Sequence, residues 1–304
     1  MRILLIGQAA FAADVLQGLE RAGDTVVAVV CPPDKGPKPD PVKAAALARS
    51  IPVHQFASLK HPDARVAFEA ATADLGVLAY VTQIVPESLL AIPRHTSICF
   101  HPSLLPRYRG GSAINWQLIN GEALSGVTVF WPDAGIDTGP IIVQRTASIG
   151  ADDSAGSLYY QTLYPLGVQT TLDAVALVRT GTAPRVPQDA AQGTYDPLCR
   201  DAHGVIDWAQ PTQRVHDRIR GCDPAPGAHA GWRGGRVRFF DSRRVMDGKG
   251  GAPGTVLAID TDGITVATAD GAVRCTRLRG DGTKAAAAEV ATALGLTPGA
   301  RLDP

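Results

Sequence analysis

Apolar runs and amphipathic stretches alternate along the first 180 residues, and a different rhythm follows. Residues 2–6, 25–30, 74–80, 97–100 and 126–130 are dominated by Ile, Leu, Val, Phe and Ala. Such runs are the pattern of strands covered on both faces of a parallel sheet. Between them, Phe11, Val15, Leu16 and Leu19 recur at helical spacing up to Gly23, and residues 42–50, 62–71, 86–90 and 113–120 also read as helices. Residues 52–53 predict a short strand and 140–149 an extended segment. Leu158, Leu163, Leu166, Val168, Leu172, Val175 and Leu177 predict a long helix over 154–179, bent near Pro165, where the ladder lacks an N–H. Residues 31–41 carry five prolines and form a surface loop. Strands alternating with helices predict an α/β fold, a doubly wound and mostly parallel sheet.

Turn residues crowd the chain from residue 180 onward. Residues 233–240, 254–260, 263–269 and 272–278 predict short strands, and Asp262-Gly263 and Asp270-Gly271 supply hairpin turns. One helix is expected early, over 212–221, and another at 285–294. The pattern predicts three parts: a catalytic domain over 1–182, a linker over 183–204, and a smaller β-rich, barrel-like domain over 205–304. No internal repeat is present.

Composition narrows the function classes. In 304 residues, 29 Lys and Arg balance 29 Asp and Glu, so no basic field steers the protein toward nucleic acid, and a small partner is favoured. The five cysteines are scattered and form no C-x-x-C pair, which suggests neither a disulfide framework nor a metal site and fits a reducing cytoplasm. The apolar run at the N-terminus stops at Gly7, so a buried first strand is expected rather than a signal peptide. No run approaches the roughly 20 apolar residues of a membrane span. Only Gly7 stands where G-x-G-x-x-G would be needed, which argues against NAD.

Chemistry concentrates in two stretches. Residues 97–111 join an apolar strand to a loop with two prolines, two arginines and a glycine pair, and His101 stands at the junction. Residues 131–139, W-P-D-A-G-I-D-T-G, follow another apolar run and place Asp133 and Asp137 among glycines. A lone histidine at a strand end is commonly a hydrogen-bonded structural residue. An imidazole and a carboxylate that each follow a core strand can instead converge at one sheet edge, as general acid/base chemistry requires.

Those same stretches, H-P-S-L-L-P-R-Y-R-G-G-S-A-I-N-W from His101 and F-W-P-D-A-G-I-D-T-G from Phe130, resemble the folate-dependent formyltransferase family. The likeness is greatest to its branch typified by the hydrolase domain of 10-formyltetrahydrofolate dehydrogenase. It continues through Leu158-Tyr159, residues 184–187, Ile206-Asp207-Trp208 and Ile219-Arg220-Gly221. The resemblance implies a formyltransferase-like fold and 10-formyltetrahydrofolate as formyl donor, with His101 and Asp137 catalytic. Cys99 stands where the transferases carry an asparagine, whose amide is a far better oxyanion donor than a thiol; the hydrolase branch also lacks that asparagine. Ser103, Leu104, Leu105 and Pro106 are implied to shape the folate loop, with Gln83 beside the pterin and Asp133 as a further contact. Arg107 and Arg109 are candidate carboxylate binders.

Three functions follow from the resemblance. Water as acceptor gives formate and tetrahydrofolate, the reading that Cys99 favours. An amine as acceptor gives an N-formyltransferase, with a small metabolite ahead of methionyl-tRNA, because loop 31–41 is short and poor in Lys and Arg. A non-catalytic folate-binding protein would be expected to lose His101 or Asp137. The full dehydrogenase would need several hundred further residues. Arg233, Arg236, Arg238, Arg243 and Arg244 read as a solvated strand face.

Overall fold

The computed structural model describes residues 1–245 and 250–303. The chain forms two compact units: 1–111, 125–147 and 161–195 make the first, and 112–124, 148–160 and 196–303 the second. The expected linker therefore divides, its residues 183–195 packing with the first unit and 196–204 with the second.

The first unit is built on a seven-stranded sheet. Its strands are β1 (Arg2–Gly7), β2 (Thr25–Cys31), β3 (Val53–Gln55), β4 (Leu75–Ala79), β5 (Ser97–His101), β6 (Leu124–Phe130) and β7 (Ile141–Ser148), in the order β3-β2-β1-β4-β5-β6-β7. Pairing is parallel from β3 through β5. It turns antiparallel between β5 and β6, where Cys99 lies opposite Phe130 and His101 opposite Thr128. Helices α1 (Ala9–Arg21), α2 (Pro41–Leu47), α3 (Pro62–Ala70) and α4 (Glu87–Leu90) follow their strands as the periodicity predicts. Asp40 caps α2 through the Val42 amide and also accepts from the Ala9 amide, which pins the proline-rich loop to the start of α1. The last residue of β1 must be glycine, because any Cβ at Gly7 would lie 2.1 Å from the Ala79 carbonyl oxygen.

The strand order reverses between β1 and β4, the switch point at which open α/β sheets leave a crevice outside the carboxyl ends of their strands. Alternation along β5 sends its residues to opposite sides. Phe100 stacks on Phe11 of α1 at 4.4 Å between ring centroids, whereas Cys99 packs with the cluster that contains Leu4, Val30 and Phe68.

In place of one bent helix, the 154–179 stretch breaks into α6 (Ala155–Ser157), a π-helical turn at Leu158–Leu163, and α7 (Tyr164–Arg179). The wide turn ends two residues before Pro165, which supplies no N–H to the ladder. Gly167 on α7 lets the Phe100 ring approach, since a Cβ there would lie 2.4 Å from it.

The second unit holds α5 (Ala113–Ile119), α6, α8 (Thr212–Gly221), α9 (Ala287–Ala293) and an antiparallel sheet of β8 (Ala228–Trp232), β9 (Gly235–Val245), β10 (Val256–Asp260), β11 (Gly263–Ala267), β12 (Ala272–Arg279) and β13 (Ala285–Ala286). The order is β10-β11-β12-β9-β8, with β13 beside β12. The segment 299–303 bonds to both outer strands of this sheet: Leu302 N–H donates to the Gly254 carbonyl, Val256 N–H to the Ala300 carbonyl, and Gly231 and Asp303 exchange a pair of bonds. That closure gives the barrel-like character expected. Trp208, Ile219, Phe239, Val266 and Leu278 form the core. The arginines read as a solvated strand face are paired or stacked: on β9, Arg236 and Arg238 meet Asp201, Arg243 meets Asp152 and Arg244 donates to Gln213, while Arg233, in the turn before β9, lies over Trp232. Among the described residues no helix is long and apolar enough to cross a membrane.

Candidate active site

His101 is the last residue of β5 and is 6% exposed. Its Nε2 lies 2.7 Å from the Tyr108 carbonyl oxygen, which can only accept, so Nε2 carries a hydrogen. The other ring nitrogen, Nδ1, faces Asp137 Oδ2 at 3.4 Å. The backbone thus fixes the tautomer and leaves Nδ1 as the nitrogen that can gain or lose a proton. The Gly110 amide donates to the same Asp137 Oδ2 at 2.8 Å.

Both partners of the imidazole sit on unusual backbone. Tyr108 has φ 58° and Asp137 φ 55°, left-handed conformations that cost a residue with a Cβ roughly 1–2 kcal/mol. Strain of this kind persists where surrounding contacts over-determine it. Here they do. Gly139 brings the loop close to Trp131, whose carbonyl oxygen would be 1.8 Å from any Cβ at that position. Asp133 Oδ1 accepts from the Gly135 amide at 3.0 Å and the Thr138 hydroxyl at 2.5 Å, folding residues 133–138 on themselves.

Cys99 is half-buried, and burial first, the Asp137 carboxylate second, push its thiol well above the usual range. It remains a protonated thiol, its Sγ donating weakly to the Phe100 carbonyl at 3.5 Å.

The rest of the loop after His101 is held by its own backbone. The Ser103 hydroxyl donates to the Arg107 carbonyl at 2.7 Å. Thr128 on β6 donates its hydroxyl to the Ser103 carbonyl at 2.6 Å and accepts from Gln144 Nε2 at 2.8 Å, while Gln144 also donates to the Leu105 carbonyl. Leu104 fills the space over Gly126, Leu105 is buried, and the Pro106 carbonyl accepts from the Thr194 amide. Arg109, expected as a carboxylate binder, is engaged with Gln188 instead, and Arg107 lies over the Tyr108 ring.

Gln83 stands apart from this group. With Gly7, Cys31, Phe56, Leu59, Val81 and Thr82 it lines a narrow cleft at the carboxyl ends of β1, β2 and β4, on the switch point of the sheet. Its amide donates to the Phe56 carbonyl at 3.0 Å and accepts from the Leu59 amide at 3.1 Å. The structure brings His101, Asp137 and Cys99 together; the hydrogen bonds of Gln83 and Asp133 among the described residues go elsewhere. Sequence reasoning missed Thr128, Gln144, Gln188 and Thr194, which lie in strands or in the linker, and no motif signals them. Among the described residues, no group of three or more His, Cys, Asp or Glu side chains is placed to hold a metal ion.

Residues 1–169 match the formyl transferase family, and residues 199–293 match the formyl transferase C-terminal domain. The chain is 39% identical to the cytosolic 10-formyltetrahydrofolate dehydrogenase of Xenopus tropicalis over 82% of its own length, but spans only 28% of that protein. It is 38% identical to the methionyl-tRNA formyltransferase of Geobacter metallireducens over 99% of this chain and 98% of the other. Its fold is shared with HypX from Aquifex aeolicus, crystallised with tetrahydrofolic acid (TM-score 0.72, 22% identity, covering 97% of this chain and 47% of that one). It is also shared with WlaRD, a sugar 3N-formyl transferase (TM-score 0.72, 18% identity, covering 93% and 98%).

Proposed function

The chain belongs to the formyl transferase family, a family of enzymes, and from that premise we propose that it removes the formyl group from N10 of 10-formyltetrahydrofolate and passes it to water, giving tetrahydrofolate and formate. The observation that carries the choice of water is Cys99. A protonated thiol occupies the place beside His101 and Asp137 where an amide donor would serve a transferase, and the hydrolase branch that the motifs resemble makes the same departure.

The chemistry follows from the fixed imidazole. Water attacks the formyl carbon and an oxyanion forms. In its imidazolium form His101 offers an Nδ1–H to that oxygen, because Nε2–H is committed to Tyr108. The Asp137 carboxylate, held by the Gly110 amide, takes the proton of the attacking water. That proton returns to N10 as the C–N bond breaks, so the folate amine leaves neutral, and the formic acid formed gives up its remaining proton to solvent to become formate. Each group contributes roughly a few kcal/mol of the barrier. The cleft lined by Gln83 and its neighbours at the switch point supports a pterin seat there, with the 103–106 loop flanking the formyl end.

A second reading, transfer to an amine, is favoured by one finding: the similarity to the Geobacter methionyl-tRNA formyltransferase runs along nearly the whole of both chains. One assay separates the two. Purified protein is incubated with 10-formyltetrahydrofolate alone, and tetrahydrofolate and formate are followed together. Equal release of both, well above a His101→Ala control, supports water. Turnover that appears only when methionyl-tRNA or a small amine is added refutes it.

A further inference from the structure

The segment after α7 enters no step of that chemistry, yet its anchors fall on the two catalytic loops and on the first residue of β7. The Pro184 carbonyl accepts from the Trp131 indole at 2.9 Å, and the Arg185 guanidinium lies 4.2 Å over the same ring. Val186 pairs with Ile141. Thr194 accepts on its hydroxyl from the Tyr108 amide at 2.7 Å and on its carbonyl from the Arg109 amide at 3.0 Å, and donates its own amide to the Pro106 carbonyl.

Gln188 stands between these anchors and touches both loops at once. Its Nε2 donates one hydrogen to the Asp137 carbonyl at 2.8 Å and the other to the Gly139 carbonyl at 2.7 Å. Its Oε1 accepts from Arg109 Nη2 at 2.8 Å and from Nε at 3.3 Å. No other side-chain type offers two N–H bonds on one side and an acceptor on the other in this plane, apart from the shorter asparagine. Arg109 sets which way round the amide lies, since the flipped amide would put oxygen against two carbonyls and nitrogen against a cation. The peptide so gripped is that of Asp137, the residue whose φ is 55°.

We propose that Gln188, oriented by Arg109, is a positioning residue: it holds the Asp137 backbone in its left-handed conformation and so keeps the carboxylate against His101. This rests on the catalytic reading of Asp137 given above. The side chain is distant in sequence from both motifs and reaches the reacting groups only through Asp137.

The test uses the full chain and three variants. Gln188→Ala is expected to lower kcat about 10- to 100-fold, the scale of a carboxylate misplaced by about 1 Å, while KM for 10-formyltetrahydrofolate stays within about threefold. Gln188→Glu keeps the partner for Arg109 but loses both donors, and is expected to fall equally. In an Asp137→Ala background, adding Gln188→Ala is expected to cost less than about twofold, because the two act as one unit. A Gln188→Ala enzyme with unchanged kcat, or a full additive loss in the double variant, overturns the proposal. A second measurement needs no turnover: the His101 ring nitrogen resonances of Gln188→Ala should move toward those of Asp137→Ala, and unmoved resonances overturn the proposal. If wild type releases no formyl group to any acceptor, the catalytic reading falls, and the resonances still decide whether Gln188 positions Asp137.

Discussion

His101 Nε2 and the Tyr108 carbonyl oxygen lie 2.7 Å apart, and that single contact decides which nitrogen of the imidazole faces Asp137. A backbone partner cannot be removed by side-chain substitution, so the tautomer survives any change at residue 108 that keeps the left-handed turn. The chemistry is therefore best probed at Asp137.

Asparagine tolerates the left-handed region well and differs from aspartate only in charge and in one terminal atom, an NH2 donor in place of an acceptor oxygen. Asp137→Asn is expected to fold with an unchanged melting temperature and to lose about 100-fold or more in formate release, on the scale of a missing general base. Retained activity would remove the carboxylate from the mechanism.

At position 99 the expectation is the opposite. With its thiol held protonated by burial and by the Asp137 carboxylate, Cys99 is not expected to act as a nucleophile. Cys99→Ala should keep formate release within about threefold, because a free cysteine packed against apolar neighbours behaves as a small apolar residue. A loss of two orders of magnitude would show that the sulfur takes part.

Cysteine reactivity should single out one residue. The Cys222 thiol hydrogen-bonds to Cys199 and, with help from the Arg218 guanidinium, lowers the Cys199 thiol below its ordinary range. Desolvation pushes the Cys31 thiol up to about 11, while Cys222 and Cys275 are buried and raised. Since the thiolate is the reactive form, iodoacetamide at pH 7.5 is expected to label Cys199 first. Mass spectrometry of the tryptic peptides reads the order, and first labelling at Cys99 or Cys275 would contradict it.

Stability should fall on mild acidification through His216. The ring is fully buried, with Nδ1 against the Ser242 hydroxyl at 2.8 Å and Nε2 against the Ala151 carbonyl at 3.0 Å. Asp152, Asp217 and Arg220 stand around it. Burial is the largest influence and holds its pKa below the ordinary histidine value. The unfolded chain therefore takes up a proton near pH ~6.5 that the folded chain refuses. Stability is complete above that pH and declines below it, by at most about 1.4 kcal/mol per pH unit for one proton. Urea midpoints at pH 7.5 and 5.5 should differ more for wild type than for His216→Gln; equal differences would rule the residue out.

Much of the fold was legible because its strands are buried on both faces and its helices on one, so composition and period separate them. That His101 and Asp137 would meet at one sheet edge was legible for a related reason, since each ends or follows such a strand. What escaped is set by geometry that periodicity does not carry. Strand β8, A-H-A-G-W, mixes polar and apolar residues without alternation and is set by its pairing with β9, Val205 and Asp303. The π-helical turn at 158–163 has no sequence period of its own. Gln188 and Thr194 sit in a stretch read as linker, and only the folded chain shows that they hold the two loops. The units also interleave, which follows from contacts among distant segments that a linear reading cannot anticipate.

The segment 299–303 occupies both outer strands of the second sheet at once. Unpaired strand edges are templates for self-association, and most sheets must guard each edge by a separate device. Here one stretch of five residues guards two. A change that detaches it, such as Leu302→Asp against a side chain that is 3% exposed, would uncover both edges in a single event, and its first visible effect should be oligomers and precipitate rather than a monomer of lower stability.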